Sequence, residues 1–317
     1  MQIDPSWQPL PSETEALDET RVWVLLRALS KLNRSGSLTG AALSLAVDEA
    51  GNPHEVSSEQ GCLVVELDGG RFELRRPAAP AVVRLLEMYL PLCVGGAGKG
   101  FVFAHLGQSL DGQIATSTGD SQYVTGPENI RHLHRLRALC DAVLVGAGTV
   151  ECDDPQLTTR LVPGESPVRV VLDPTLRLSA TRRLFQDESV PTLVICDPAR
   201  ATGGRLGHAE LVPLSHADGA FSPQAVIRAL AERGLRHVFV EGGGVTVSRF
   251  LAARALDRLH VAISPLFLGQ GRPGIVLPAI AELTSALRPS VRRFTLGEDV
   301  LFDCSELAAS PRRDDAG

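Results

Sequence analysis

The sequence has no long hydrophobic run, no paired cysteines and no basic block. No stretch of the 317 residues approaches the roughly 18 consecutive apolar residues that a membrane-spanning helix needs. The first residues, MQIDPSWQPLPSETE, are acidic and rich in proline, unlike a secretory signal. The six cysteines are scattered without a CxxC pair, so we expect reduced thiols and a cytoplasmic protein.

Several motifs of catalytic chemistry are missing as well. The sequence has no HExxH, no GxSxG and no HxE partnered with PCxxC, so we expect no metal and neither triad nor zinc-deaminase chemistry. Aromatic residues make up only 4% and the net charge is −6, which argues against a nucleic-acid partner. The remaining composition is that of a globular chain long enough for a sizeable core.

The N-terminal third differs from the rest of the chain. Helical spacing marks Thr20–Leu32 and Pro80–Leu92, and Cys62–Arg75 alternates like a hairpin around the turn at residues 68–70. The run VGGAGKG that follows fits a flexible joint better than a phosphate loop, because Gly100 stands where GxxxxGK[ST] requires Ser or Thr. We divide the chain into an α+β segment of unknown role (1–95), a main domain (100–307) and a disordered tail (308–317).

From Phe101 onward, strand-like and helix-like segments alternate, which predicts an α/β domain with a largely parallel sheet covered on both faces. The expected strands are Phe101–Leu106, Ala142–Val145, Arg169–Leu172, Thr192–Cys196, His237–Val240, Leu259–Ile263, Arg292–Leu296 and Val300–Cys304. The expected helices are Pro127–Leu139, Pro223–Arg233 and Val245–Ala255. The last two strands, joined by residues 297–299, have the pattern of an antiparallel edge hairpin.

The most informative stretch runs from His237 to Pro265. A short apolar strand ends in Glu241 and three glycines, a helical pattern begins at Val245, and another strand follows. Such a turn can bring backbone amides and a helix N-terminus to a phosphate. Alternatively, the glycines are present only because the backbone of a strand-to-helix turn requires them, and they bind nothing. In the phosphate interpretation, Glu241 projects beside the bound group.

A second glycine turn, Gly146-Ala147-Gly148, also follows a strand. A dinucleotide fingerprint would require its third glycine at Glu151, so the Rossmann interpretation fails. The pair Asp153-Asp154 ends a short helical turn nearby. The two carboxylates could belong to a solvated turn, or one of them could be catalytic, and both interpretations stay open.

Several arginines are candidate anion ligands. Arg131, His134, Arg135 and Arg137 lie on one predicted helix and cannot all share a face, so one or two can point inward to an anion. Arg160 is a further candidate clamp. Arg177 follows the strand that ends at Asp173, a position suited to a cofactor's 2′-phosphate.

Six motifs occur together in order: SLDG, GDSQYVTG, LRALCDAVLVGAGTV, DDPQLTTR, RVVLD and VEGGG. Through them, roughly residues 100–305 resemble the reductase domain of the riboflavin-biosynthesis deaminase/reductase family. The resemblance implies a dihydrofolate-reductase-like, three-layer fold with a mostly parallel central sheet. It implies an oxidoreductase that uses NADPH to reduce a ribosylaminopyrimidine 5′-phosphate to its ribityl form. It also implies a homodimer, with apolar segments near Leu259–Ile263 and the edge hairpin as candidate faces. The family's zinc deaminase domain is not expected in residues 1–95.

The resemblance also carries over site residues. The implied cofactor contacts are Gly107, Tyr123, Thr149, Asp153, Pro174, Gly243, Gly244, Val245, Thr246, Val247, Ser248 and Arg249. The implied substrate contacts are Ser121, Arg137, Leu157, Arg160 and Glu241. Two positions depart from the family's habit: Tyr123 stands where Trp is common, and Gly244 where another residue is frequent.

These assignments imply a division of labour. Arg137 and Arg160 would grip the phosphate by bidentate contacts, and either Asp153 or Glu241 would supply a proton near the sugar C1′. Asp153 could instead only orient the nicotinamide. Two other functions stay open: reduction of a pterin or secondary metabolite, and NADPH binding without catalysis.

Overall fold

The structure, a computed structural model, describes residues 16–307 except 49, 58, 59, 68, 69 and 97. The described residues fall into two compact units, one up to residue 96 and one from residue 98 onward. The expected disordered tail at 308–317 and part of the expected hairpin turn lie outside the described residues.

The N-terminal unit combines two helices with a small antiparallel sheet. Its elements are α1 (Glu19–Arg34), β1 (Ala42–Val47), β2 (Pro53–Glu55), β3 (Leu63–Glu66), β4 (Phe72–Leu74) and α2 (Pro80–Val94), with the strands in the order β2-β1-β3-β4. Four apolar residues of α1 are fully buried at spacings of three and four, which is why this segment forms an amphipathic helix: Val22, Leu25, Leu26 and Leu29. Both predicted helices and both hairpin strands are confirmed, whereas β1 and β2 are additional.

The C-terminal unit contains the remaining elements. Its helices are α3 (Pro127–Ala138), α4 (Ala147–Asp153), α5 (Arg183–Gln186), α6 (Pro223–Ala231) and α7 (Gly244–Ala252). Its strands are β5 (Phe101–Ser109), β6 (Gln113–Thr116), β7 (Ala142–Gly146), β8 (Val168–Leu172), β9 (Thr192–Cys196), β10 (Arg205–Leu206), β11 (Ala209–Pro213), β12 (His237–Glu241), β13 (Arg258–Ser264), β14 (Gly271–Pro273), β15 (Ser290–Leu296) and β16 (Asp299–Ser305).

Ten of these strands form one sheet in the order β10-β11-β9-β8-β7-β12-β5-β13-β16-β15. Every neighbouring pair from β11 to β13 is parallel, while β16, β15 and β10 are added antiparallel. The mostly parallel sheet and the closing antiparallel hairpin are therefore confirmed. Both edges of β13 are hydrogen-bonded, to β5 and β16, so the segment at 259–263 offers no free strand edge.

Helices cover both faces of this sheet. On one face, Val102 and Ala104 of β5 share an apolar core with Val247 and Phe250 of α7. On the other, α3 lies over β5 and β13 through buried polar contacts. His105 Nε2 is 2.9 Å from Asn129 Oδ1, and His132 Nε2 is 3.0 Å from His260 Nδ1. Burial, followed by the nearby His260, lowers the pKa of His105 to about 3. The predicted three-layer α/β arrangement is confirmed.

None of the helices in the described part of the chain combines the length and the apolar character needed to cross a bilayer.

Candidate functional site

A cleft of about 1190 Å³ runs along the carboxyl ends of β7, β8 and β12. It exceeds the roughly 300–1,000 Å³ of ordinary small-molecule pockets, so it can hold a large ligand or two ligands together. Most of the predicted site residues line it: Ser121, Thr149, Asp153, Pro174, Arg177, Gly243, Gly244, Val245, Thr246, Ser248 and Arg249.

The glycine turn between β12 and α7 forms one wall of the cleft. Gly242 and Gly243 have φ of 60° and 70°, a left-handed conformation that costs residues with a side chain about 1–2 kcal/mol. A Cβ on Gly243 would lie 2.7 Å from Thr149 Oγ1. Likewise, a Cβ on Gly146 would lie 2.7 Å from Thr246 Oγ1. Glycine is therefore needed for the two turns to approach each other, and the α7 N-terminus is left bordering open space where an anion can bind.

The run LGQGRPG after β13 supplies another wall that the sequence patterns did not reveal as part of the site. A Cβ on Gly244 would lie 2.2 Å from the Gly274 carbonyl oxygen, so only glycine fits at the start of α7. This contact gives a steric reason for the glycine at position 244. The run also brings Arg272 to the cleft, where Nη1 donates to Cys152 Sγ at 3.0 Å. Its three glycines and its arginine were the sequence features that could have identified this run as part of the site.

Asp153 is the last residue of α4 and faces the cleft. Its Oδ1 accepts a hydrogen bond from Ser121 Oγ at 2.9 Å. The structure thus brings together two residues predicted separately, one from the loop before α3 and one from α4. Asp153 is exposed, so its carboxylate can reach a ligand in the cleft.

Arg137 and Glu241 form a buried, bidentate ion pair beside the cleft. Arg137 Nε and Nη2 donate to the two carboxylate oxygens at 2.7 and 2.5 Å, and Nη1 donates to the Thr158 carbonyl oxygen at 2.9 Å. Burial disfavours the charge on Arg137, but Glu241 more than offsets this and raises its pKa. Because both oxygens of Glu241 are engaged, Glu241 serves Arg137 in this arrangement and is not free to donate a proton.

Arg160 lies next to this pair and is exposed. Its Nη1 donates to Thr158 Oγ1 at 2.7 Å, so Thr158 links both predicted phosphate ligands. The Arg160 backbone N–H donates to Nδ1 of the buried His134 at 2.9 Å, which places the proton of the neutral imidazole on Nε2. Burial, then Arg137 and Arg160, lower the pKa of His134 to about 4, so the ring stays neutral near pH 7.

Seven predicted residues do not line the cleft: Arg137, Arg160 and Glu241, described above, and Gly107, Tyr123, Leu157 and Val247. Val247 is fully buried in the core, and Leu157 is buried with φ of 55° in the loop that carries Arg160. A Cβ on Gly107 would lie 2.7 Å from the Thr125 side chain. Tyr123 is 81% exposed, so in this structure its ring forms no aromatic wall.

Arg177 lines the far end of the cleft and is held in an ion pair by Glu151 of α4. The turn that carries Arg177 is held by the fully buried Asp173, whose carboxylate accepts a hydrogen bond from the Leu178 N–H at 3.0 Å. The structure therefore places Arg177 at the end of β8, as predicted, but with an acidic partner that the sequence did not indicate.

Within the described residues, no group of three or more histidine, cysteine or acidic side chains converges as a set of metal ligands.

The fold and the cleft define an α/β protein of the doubly wound class, in which ligands bind at the carboxyl ends of the parallel strands. The chain belongs to the RibD C-terminal domain family, whose model matches residues 100–296. The family predicted from the six motifs is thus confirmed.

Two relatives illustrate how much is shared. The chain is 34% identical over 214 residues to the 2,5-diamino-6-ribosylamino-4(3H)-pyrimidinone 5′-phosphate reductase of Methanothermobacter thermautotrophicus, covering 64% of this chain and 96% of the relative. It is 35% identical over 198 residues to the riboflavin biosynthesis protein RibD of Aquifex aeolicus, covering 62% of this chain and 54% of the relative. The match therefore spans about half of that RibD protein and almost all of the archaeal reductase.

Solved structures agree with the fold. The deaminase/5-amino-6-(5-phosphoribosylamino)uracil reductase of Thermotoga maritima superimposes with a TM-score of 0.57 at 29% identity, covering 71% of this chain and 61% of that one. The riboflavin biosynthesis reductase Rib7 of Saccharomyces cerevisiae shares the fold, with a TM-score of 0.51 at 23% identity over 65% of this chain and 89% of that one.

Proposed function

We propose that the chain is an NADPH-dependent reductase that converts a ribosylaminopyrimidine 5′-phosphate of the riboflavin pathway into its ribitylamino product. The observation that carries the proposal is the convergence of the α7 N-terminus, Asp153 with Ser121, and Arg177 on one cleft. Support also comes from relatives whose names state this type of reduction.

The cleft suits a nicotinamide dinucleotide. The first amides of α7 and the side chain of Arg249 are suited to its diphosphate. Arg177, at the end of β8, is suited to the 2′-phosphate that distinguishes NADPH from NADH. Such a cofactor supplies the hydride. The residues of the chain position the two ligands and exclude water from the space between them.

The substrate's phosphate is assigned to Arg160, because its guanidinium is exposed whereas that of Arg137 is occupied by Glu241. Arg137 then positions Arg160 through Thr158. The phosphate is at the 5′ end of the sugar, away from C1′, so a contact to it positions the sugar without taking part in the chemistry.

The reduction needs a hydride at C1′ and one proton. Ring opening breaks the bond between C1′ and the ring oxygen, moves the amino proton to that oxygen and leaves a C1′=N double bond. Hydride then adds to C1′ and a proton adds to the nitrogen. Of the two predicted acids, Asp153 is assigned the proton-donating role, because Glu241 is held by Arg137. Once Asp153 has given its proton to the imine nitrogen, its carboxylate stabilises the resulting cationic imine, which accepts the hydride at C1′.

The proposal is tested by following NADPH oxidation at 340 nm with three substrates. They are 5-amino-6-(5-phosphoribosylamino)uracil, its 2,5-diamino-pyrimidinone counterpart, and dihydrofolate. We expect oxidation with at least one of the two ribosylaminopyrimidine phosphates and none with dihydrofolate. Oxidation with dihydrofolate alone would favour the pterin alternative. NADPH binding without turnover of any of the three would favour a non-catalytic binding protein.

A further inference from the structure

Glu151 and Arg177 place opposite charges at one point of the cleft. Glu151 lies on α4 and Arg177 lies in the turn after β8, so two different elements bring these side chains to the cleft. They form an ion pair, and their side chains are about half exposed, at 49% and 48% respectively. Both can therefore contact a ligand.

The two groups favour different nucleotides. In doubly wound folds, a carboxylate near the adenosine ribose accepts a hydrogen bond from the 2′-hydroxyl of NADH, whereas an arginine there binds the 2′-phosphate of NADPH. A 2′-phosphate that approached Arg177 would displace the carboxylate of Glu151 and would be repelled by it. A 2′-hydroxyl would meet no such repulsion and could donate to Glu151.

We propose that Glu151 sets the nucleotide preference of the cleft. It reduces the advantage that Arg177 gives to NADPH and lets NADH serve as a second cofactor. This inference rests on the proposed function, since it requires that the cleft bind a nicotinamide dinucleotide. Glu151 acts here as a specificity-determining residue, by competing for Arg177 and by accepting the ribose hydroxyl.

The test measures dissociation constants of NADPH and NADH by nicotinamide fluorescence, without turnover, for the wild type and Glu151→Gln. The amide removes the charge at nearly constant size. We expect the ratio of the NADH to the NADPH dissociation constant to rise about fivefold, the effect of a partly exposed charge pair of about 1 kcal/mol. Glu188→Gln is the matched control: its side chain is 81% exposed and it does not line the cleft, so the ratio should not change.

The possible outcomes separate the two ideas. If the wild type binds NADPH but Glu151→Gln leaves the ratio unchanged or lowers it, the inference about Glu151 is wrong while the proposed function stands. If the wild type binds neither dinucleotide, both are wrong. Arg177→Ala provides a second check, because it should lower the same ratio by weakening NADPH binding.

Discussion

The two arginines that the sequence predicted as ligands of the substrate's phosphate have the same chemistry but different surroundings. Arg137 is 7% exposed, and a buried guanidinium is stable only when its hydrogen bonds and charge are satisfied. Glu241 and the Thr158 carbonyl satisfy them. Arg160 shares Thr158 but keeps its guanidinium at the surface. Arg137 is therefore a positioning residue, and Arg160 is the group that meets the substrate.

Changing Arg160 to alanine should raise KM for the ribosylaminopyrimidine phosphate about tenfold to hundredfold, because a hydrogen bond to a charged group contributes about 1.5–3 kcal/mol. The NADPH dissociation constant should stay the same, since Arg160 does not line the cleft. Steady-state kinetics and fluorescence titration measure the two quantities.

Arg233→Ala is a suitable control for this change, because Arg233 pairs with Glu210 outside the cleft. An unchanged KM in Arg160→Ala would remove the phosphate-binding role from Arg160. A parallel loss of NADPH binding would show that the variant had disturbed the cleft as a whole.

At this scale, residue types and their positions after strands were predictable, but partners were not. The sequence places Arg177 after β8 and Asp153 at the end of a helical turn. It does not reveal that Glu151 meets Arg177, or that Arg272 arrives from a segment more than one hundred residues away to meet Cys152. Such pairs depend on how distant segments pack, and no local pattern encodes that.

The turn between β12 and α7 is the element on which the cofactor proposal depends. Its glycines could be identified from the sequence, because a β-branched strand ends abruptly in Gly242, Gly243 and Gly244 before a helical pattern. The sequence left open whether these glycines are needed only for the backbone geometry of the turn or also for binding a phosphate. The structure gives a steric reason for two of them, and the same backbone borders the cleft.

Gly243→Ala should therefore damage both stability and cofactor binding. Its φ of 70° and the 2.7 Å approach of the new Cβ to Thr149 Oγ1 would force the turn to move. We expect a loss of about 1–2 kcal/mol in the free energy of unfolding. We also expect NADPH affinity to fall about tenfold or more, since the α7 amides would be displaced.

Gly203→Ala is the matched control, because a Cβ at Gly203 would meet open space and its φ is not positive. Thermal unfolding and fluorescence titration compare the two variants. If Gly243→Ala binds NADPH as tightly as Gly203→Ala does, the diphosphate does not rest on this turn.

Most of the longer elements were predicted, but β1 and β11, of six and five residues, were not. Strand β9 begins and ends where the apolar run does, and α3 and α7 deviate by only a few residues. The unpredicted elements include β6, β10, β14 and α5, which have two to four residues each. Segments of this length contain too few residues to display a period, so tertiary contacts alone define them.

For the whole molecule, alternation of strands and helices was enough to predict a parallel sheet, since parallel neighbours need a crossover between them. The strand order was not predictable in the same way. Strand β5, the first of the C-terminal unit, pairs with β12 and β13, which follow it by more than one hundred residues. This arrangement brings the glycine turn of β12 beside the turn after β7, and it creates the cleft.

The central claim is that this cleft holds a dinucleotide whose diphosphate rests on the start of α7 and whose hydride-donating ring lies near Asp153. The crystal structure of the NADPH complex tests it most directly. The account predicts density for the diphosphate against the amides of Gly244 and Val245, with the adenosine ribose next to Arg177. Density for the cofactor outside the cleft, or in it with the diphosphate away from α7, would contradict the account.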